Sequence, residues 1–260
     1  MASDLTSGKP SEPHRTRFLV VYALLALTIG AAIVGVVVFA GRSINPAPKW
    51  SSWRPSGGGL GAAQQIADRV AGTYHLPGGG QLVDVIAKSP SFSSSPTKSV
   101  QVSFIAVRGT RGNVDQLQKV SSSNSVWYSL CGLGDSCSIA TGTPSQSRGT
   151  LVRREILELA LYTFKYVKGV QHVVAFMPPR KAGVAPTIVY LEKNDVEAEL
   201  KRPLTATLPP KVPLPATISA REQQAIDATT ESRLYTIFSL PQTQQGDVAL
   251  VLRPIPRQTP

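Results

Sequence analysis

The stretch TLVRREILELALYTFKYVKGVQHVVAF, residues 150–176, joins a helical pattern to a strand pattern and decides the class of fold. Apolar side chains recur every three or four positions in its first part, which predicts a helix over 151–168 with one buried face. Thr150 is suited to cap the first turn of this helix, and Gly169 is suited to end it. The β-branched run over 172–176 predicts a strand directly after the helix.

The same order of one helix and two strands, an αββ-like unit, occurs upstream and downstream of this stretch. The return strand of the central unit is predicted over 187–191. The other predicted elements are a helix over 60–71 with strands over 82–87 and 100–107, and a helix over 219–230 with strands over 234–240 and 248–252. Three such units predict a two-layer α+β domain with a mostly antiparallel sheet of about six strands and about three helices on one face.

A run without charged side chains, FLVVYALLALTIGAAIVGVVVFA over 18–40, lies near the start of the chain. A helix of this length is about 35 Å long, which is enough to cross the ~30 Å hydrocarbon core of a bilayer. Because the apolar segment of a signal peptide is shorter, we predict a retained transmembrane helix. The predicted organisation is a short tail over 1–17, a transmembrane anchor over 18–40, a Pro/Gly/Trp linker over 41–60 and an extracytoplasmic domain over 61–255.

Basic residues lie on both sides of the predicted anchor in equal number, so the positive-inside rule does not decide its orientation. Arg15 and Arg17 together lie closer to the anchor than the basic residues after it, which are Arg42, Lys49 and Arg54, and this favours a cytoplasmic N-terminus and a single-pass protein with its domain outside the cell membrane. Trp50 and Trp53 have basic neighbours and are suited to the headgroup layer, or else they pack on the domain. The predicted membrane-interface residues are Arg15, Arg17, Arg42, Trp50 and Trp53.

The chain carries a formal net charge of +11. A field of this sign attracts anionic surfaces, such as lipid headgroups or an acidic polymer. Nucleic acid is an unlikely partner on this pattern, since no block of Lys and Arg is longer than two residues. The expected partners are the lipid bilayer and a protein of the membrane or envelope.

Cys131 and Cys137 are the two cysteines of the chain, and a Gly-rich gap separates them. This spacing allows a tight reversal, so a disulfide is predicted if the domain is outside, with free thiols as the alternative. A metal site is not expected here because no His lies nearby. The disulfide would stiffen the Ser/Gly-rich excursion over 109–149, which we predict to be a contact loop.

Candidate catalytic residues are few. His75 and His172 are the histidines outside the tail, so a Ser/His hydrolase would have to use one of them. Their contexts are typical of an exposed turn and of a strand end. Glu155 and Glu158 lie beside arginines on the long predicted helix and indicate surface ion pairs. No phosphate-binding loop, cofactor motif or metal motif is present.

The sequence therefore predicts a non-enzymatic, membrane-anchored extracytoplasmic binding or scaffolding domain of a membrane or cell-envelope assembly. Two alternatives remain open at this point. The first is a membrane-anchored hydrolase that uses a serine with His75 or His172. The second is a domain that faces the cytoplasm and binds nucleic acid or a cytosolic protein.

Overall fold

The chain forms two units in the computed structural model, residues 1–48 and residues 49–260. The structure describes residues 14–41, 49–95, 98–109, 117–242 and 247–256. The first unit contains helix α1 (His14–Gly41), and every side chain from Phe18 to Val34 is exposed.

The transmembrane part of the predicted fold is not what the structure gives. Within the described residues, no helix combines the length and the apolar character that a membrane crossing requires. This finding overturns the transmembrane helix predicted over 18–40.

The second unit is built from a strongly curved sheet with helices on one part of its outer surface. Its helices are α2 (Gly59–Ala71), α3 (Gln146–Tyr166), α4 (Glu197–Lys201) and α5 (Ala220–Thr230). Its strands are β1 (Asp84–Lys88), β2 (Ser91–Ser95), β3 (Lys98–Arg108), β4 (Leu117–Ser121), β5 (Ser125–Cys131), β6 (His172–Phe176), β7 (Ile188–Glu192), β8 (Leu234–Ser239) and β9 (Val248–Pro254).

In the described part of the chain the sheet has nine strands, in the order β1-β5-β6-β7-β8-β9-β3-β2, and β4 pairs with β3. It is a mixed sheet, because β5 pairs with β6 in parallel and β3 pairs with β9 in parallel. It is also nearly closed, since Phe92 on β2 packs against Trp127 on β5 and Phe176 on β6, with ring centroids 5.3 and 5.9 Å apart. The predicted two-layer domain with about six mostly antiparallel strands is therefore wrong.

Strand β5 explains most of this difference. It lies inside the region that we predicted to be a Ser/Gly-rich excursion, yet it pairs with both β1 and β6. Helix α3 connects β5 to the parallel strand β6, which makes a βαβ unit that the predicted αββ-like units do not contain. The excursion over 109–149 is thus partly a central strand of the sheet.

Strands β5, β6 and β7 are buried on both faces. One face packs against α2 and α3, and its residues are Val126, Tyr128, Leu130, Val173, Ala175, Val189 and Leu191. The other face fills the interior of the curved sheet, and its residues include Trp127, Val174, Phe176, Ile188 and Tyr190. Alternate side chains of each strand thus enter two different cores.

Helix α3 begins earlier than its sequence pattern predicts. Its N-cap is Ser145, whose hydroxyl accepts a hydrogen bond from the backbone N–H of Arg148 at 3.2 Å, in place of Thr150. The predicted apolar stripe is buried as expected. In α5, the N-cap is Ser219, whose hydroxyl accepts a hydrogen bond from the N–H of Glu222 at 3.2 Å.

The predicted surface position of Glu155 and Glu158 is wrong. Glu155 is fully buried, and neither of its carboxylate oxygens has a hydrogen-bond partner among the described residues. Glu158 accepts a hydrogen bond from the Tyr74 hydroxyl at 2.7 Å. The neighbouring Arg154 is also buried, and its Nε donates to Glu222 at 2.7 Å. The reason is that other elements cover the side of α3 that its apolar pattern assigns to solvent. They are α2, α5 and the proline-rich segment over 203–215, which precedes α5.

The two tryptophans of the predicted linker pack on the domain. The Trp50 and Trp53 rings lie 5.4 and 5.5 Å from the Tyr162 ring on α3. The carbonyl of Trp50 also accepts a hydrogen bond from the N–H of Leu204 in the proline-rich segment. The other predicted membrane-interface residues, Arg15, Arg17 and Arg42, have side chains outside the described part of the chain.

Candidate functional site

A groove of about 490 Å³ opens at the rim of the curved sheet, where β3 and β7 end and where β4 and β8 begin. Its walls combine apolar side chains with aromatic, basic, acidic and amide groups. The lining residues are Val107, Arg108, Gly109, Leu117, Gln118, Tyr190, Glu192, Arg233 and Tyr235. Such a mixture of apolar walls and a few convergent polar groups is typical of a ligand site.

A chain of hydrogen bonds runs along one wall of the groove. The Tyr190 hydroxyl donates to Glu192 Oε1 at 3.2 Å and lies 2.9 Å from His172 Nδ1. Because the hydroxyl has one proton, donation to Glu192 requires that His172 Nδ1–H donates to Tyr190. The same carboxylate oxygen accepts from Gln118 Nε2 at 3.3 Å. Strands β4, β6 and β7 are therefore linked at the groove through one carboxylate.

A second carboxylate fixes Arg233, a basic group of the groove. Asp195 forms an ion pair with Arg233 and accepts a hydrogen bond from the N–H of Glu192 at 2.8 Å. Burial raises the pKa of Asp195, although Arg233 and the Glu192 N–H act in the opposite direction. The Arg233 side chain keeps about a third of its surface exposed, so its guanidinium remains accessible from the groove.

Burial also sets the protonation of the aromatic groups. It lowers the pKa of His172 from its ordinary value, against the effect of Glu192 and Asp195, so the imidazole is neutral at pH 7. It raises the pKa of Tyr190 and of Tyr235, so both hydroxyls keep their protons. The groove thus offers neutral donors beside an anchored guanidinium, which suits binding.

The hydrolase alternative requires a Ser–His pair, and the structure does not bring one together among the described residues. Ser125 lies opposite His172 in the register of β5 and β6. Its hydroxyl, however, donates to the carbonyl of Ser122 at 2.6 Å and accepts from Trp127 Nε1 at 3.1 Å. His75 is exposed and pairs through its backbone with Gln81.

The side chains of Cys131 and Cys137 lie close to each other at the end of β5. Burial, together with the neighbouring Cys131, raises the pKa of Cys137 to about 11. The loop between them is tight, since Leu133 and Ser136 have positive φ values and a Cβ at Gly132 would collide with the backbone of Ser138. The disulfide stays a prediction. Among the described residues, no group of His, Cys, Asp and Glu has an arrangement that could hold a metal.

Sequence reasoning found one member of this site, His172, and it assigned that residue to a strand end. It missed Gln118, Tyr190, Glu192 and Arg233. Together with His172, these residues come from four separate parts of the chain and form no motif. A usable signal was the position of polar side chains where predicted strands begin or end.

Comparison with protein-family models, with curated proteins and with solved structures finds no match for this chain.

Proposed function

We propose that the protein is a non-enzymatic binding or scaffolding component of a membrane assembly, and that the groove holds a segment of its partner. The observation that supports this proposal is the polar network of the groove. Its histidine hydrogen-bonds to a tyrosine, and its carboxylates fix an amide and a guanidinium, so the side chains are held in position without a nucleophile. Pre-positioned donors of this kind favour recognition.

The chemistry of the groove suits a protein segment. Arg233 and Tyr235 offer donors to a carboxylate or a backbone carbonyl, while Val107 and Leu117 offer apolar contacts. A peptide carries both kinds of group at short spacing, and peptide recognition commonly combines backbone hydrogen bonds with side-chain pockets.

Location at a membrane is supported by α1. Its described side chains are exposed and largely apolar, with Phe18, Leu19 and Leu27 each more than half exposed. A surface of this kind is unfavourable in water and marks contact with a protein or a membrane. We therefore place the protein at the cell membrane in this proposal.

Photocrosslinking of the full chain in cells tests the groove. A benzophenone amino acid at Gln118, which lines the groove and points to the opposite side of β4 from Leu117, should give one discrete crosslinked protein. The matched control places the same group at Leu133, which is also exposed but lies in the Cys131–Cys137 loop. The product should fall several-fold with Tyr190→Phe, which keeps the ring and removes the hydroxyl from the network. Identical products from both positions would contradict the proposal.

A chemical probe tests the enzymatic alternative. A fluorophosphonate reacts with an activated serine, and we expect no labelling of the full chain under conditions in which a control serine hydrolase is labelled. Labelling that disappears in the His172→Ala variant would overturn the proposal in favour of a Ser/His hydrolase.

A further inference from the structure

Within the described part of the second unit, one half of the sheet has an outer surface that none of the helices α2 to α5 covers. We call it the open face, and it consists of the outward-pointing residues of β3, β4, β8 and β9. Its members include Phe104, Ala106, Arg108, Leu117, Lys119, Ser121, Thr236, Phe238, Ala249, Val251 and Arg253. The pairings Arg108↔Leu117 and Thr236↔Arg253 place these residues on one side, while the intervening residues of β3 and β9 enter the inner core.

Cations on the open face are held against aromatic rings. Lys119 Nζ lies 3.6 Å from the centre of the Phe104 ring. The guanidinium carbons of Arg108 and Arg253 lie 4.6 and 5.5 Å from the centre of the Phe238 ring. Cation–π attraction of this kind keeps the long basic side chains on the surface of the sheet, so they need little further ordering when they bind an anion.

Large apolar side chains are exposed among these cations. Phe238 is 50% exposed and Leu117 is 54% exposed. Leu240 and Ile255 are also exposed, and they follow β8 and β9 directly. Apolar and basic groups thus alternate over the same surface, which is the composition of proteins that lie in the headgroup layer of a membrane.

Among the described outward residues of the open face, every charged side chain is basic. None of the outward strand positions named above is an aspartate or a glutamate. The carboxylate at the start of β9, Asp247, accepts a hydrogen bond from Ser103 at 2.9 Å. The face therefore attracts an anionic occupant.

We propose that the open face docks on the surface of a bilayer that contains anionic phospholipid. A hydrophilic polyanion would match Lys119 and Arg253 but would leave Phe238 and Leu117 in water. A second copy of the chain would bring like charges together. A lipid surface satisfies both features, since phosphate groups meet the cations and the acyl boundary receives the apolar side chains.

This inference rests on the membrane location in the proposed function. The open face meets the groove at Arg108 and Leu117, but it does not include the crosslinking position Gln118 or the network residues Tyr190 and Glu192. The test uses the full chain with Phe238→Trp, reconstituted in vesicles of brominated phosphatidylcholine with or without phosphatidylglycerol. Quenching of the added tryptophan should be at least about twofold stronger with the anionic lipid and should fall at high salt. The matched control is Leu133→Trp, which should show no dependence on phosphatidylglycerol.

Charge reversal sharpens the test. Lys119→Glu combined with Arg253→Glu should abolish the effect of phosphatidylglycerol in the Phe238→Trp chain. The control reverses two exposed basic residues elsewhere, Lys168→Glu with Arg180→Glu, and should leave it intact. The circular dichroism spectrum of each variant verifies that it has folded.

Three outcomes would overturn the inference. They are equal quenching in neutral and anionic vesicles, equal loss in both double variants, and a response to a single-stranded oligonucleotide or polyglutamate without one to phosphatidylglycerol. Each leaves crosslinking at the groove unaffected, so failure of lipid docking is distinguishable from failure of the proposed function.

Discussion

The two halves of the curved sheet differ in how they are covered. Strands β5, β6 and β7 lie between the helices and the inner core, so nearly every side chain is buried. Strands β3, β4, β8 and β9 bury mainly one face, and their outward residues include Phe238, Lys119 and Arg253. The first half is constrained by packing at each position. The second half is free to vary on one side, so its outward residues are the better indicators of function.

We expect the largest loss of stability from a substitution in the half of the sheet that is covered on both faces, which is formed by β5, β6 and β7. Trp127 is fully buried and contacts the rings of Phe92 and Phe176. Trp127→Ala should reduce the free energy of unfolding by about 3–5 kcal/mol, because it leaves a cavity where the two ends of the sheet meet. Urea unfolding of the full chain, followed by circular dichroism, measures this change. A loss below about 1 kcal/mol would mean that the interior of the sheet is not a packed core.

The helix layer of the same half predicts a pH effect. Burial raises the pKa of Glu155 well above its ordinary value, and Glu158 adds to the shift. The unfolded chain releases this proton near pH 4.5 while the folded chain keeps it, so the wild type loses stability as pH rises above 4.5. Glu155→Gln removes that loss. Its advantage over wild type should grow by about 1.4 kcal/mol per pH unit until the raised pKa is reached.

An exposed glutamate provides the control. Lys201 lowers the pKa of Glu197 through a hydrogen bond and its charge, which is the opposite direction. Glu197→Gln should therefore show no gain in stability with rising pH. Unfolding midpoints for both variants between pH 5 and pH 8 decide the matter, and parallel curves for Glu155→Gln and wild type would show that the buried carboxyl is not protonated.

Local pattern predicted the elements whose surroundings are simple. Helix α3, the capped helix α5 and the strands β6, β7 and β9 lie where the sequence placed them, within a few residues. Each has a continuous apolar run or a cap that depends only on neighbours in sequence. The length of the sheet could not be predicted in the same way, because β5 acquires its position from pairing with β6 across the whole of α3.

Burial of charge was the second failure of local reasoning. The stripe on α3 identified the side that faces the sheet, but it could not show that α2 and α5 cover the other side. The pattern therefore predicts that Arg154 and Glu155 lie at the surface, although both are buried. The groove escaped prediction for a related reason, since Tyr190 and Arg233 become neighbours only when β7 and β8 pair.

The smallest predicted effect tests the open half directly. Phe238→Ala should change the free energy of unfolding by less than about 1 kcal/mol, because the ring is half exposed and its neighbours Arg108 and Arg253 retain access to water. The same urea titration as for Trp127→Ala measures it. A loss comparable to that of Trp127→Ala would show that the ring serves the fold. A small loss of unfolding free energy would mean that the fold does not require the exposed ring of Phe238. Since Arg108 and Arg253 lie against this ring, its position would then indicate a role in binding.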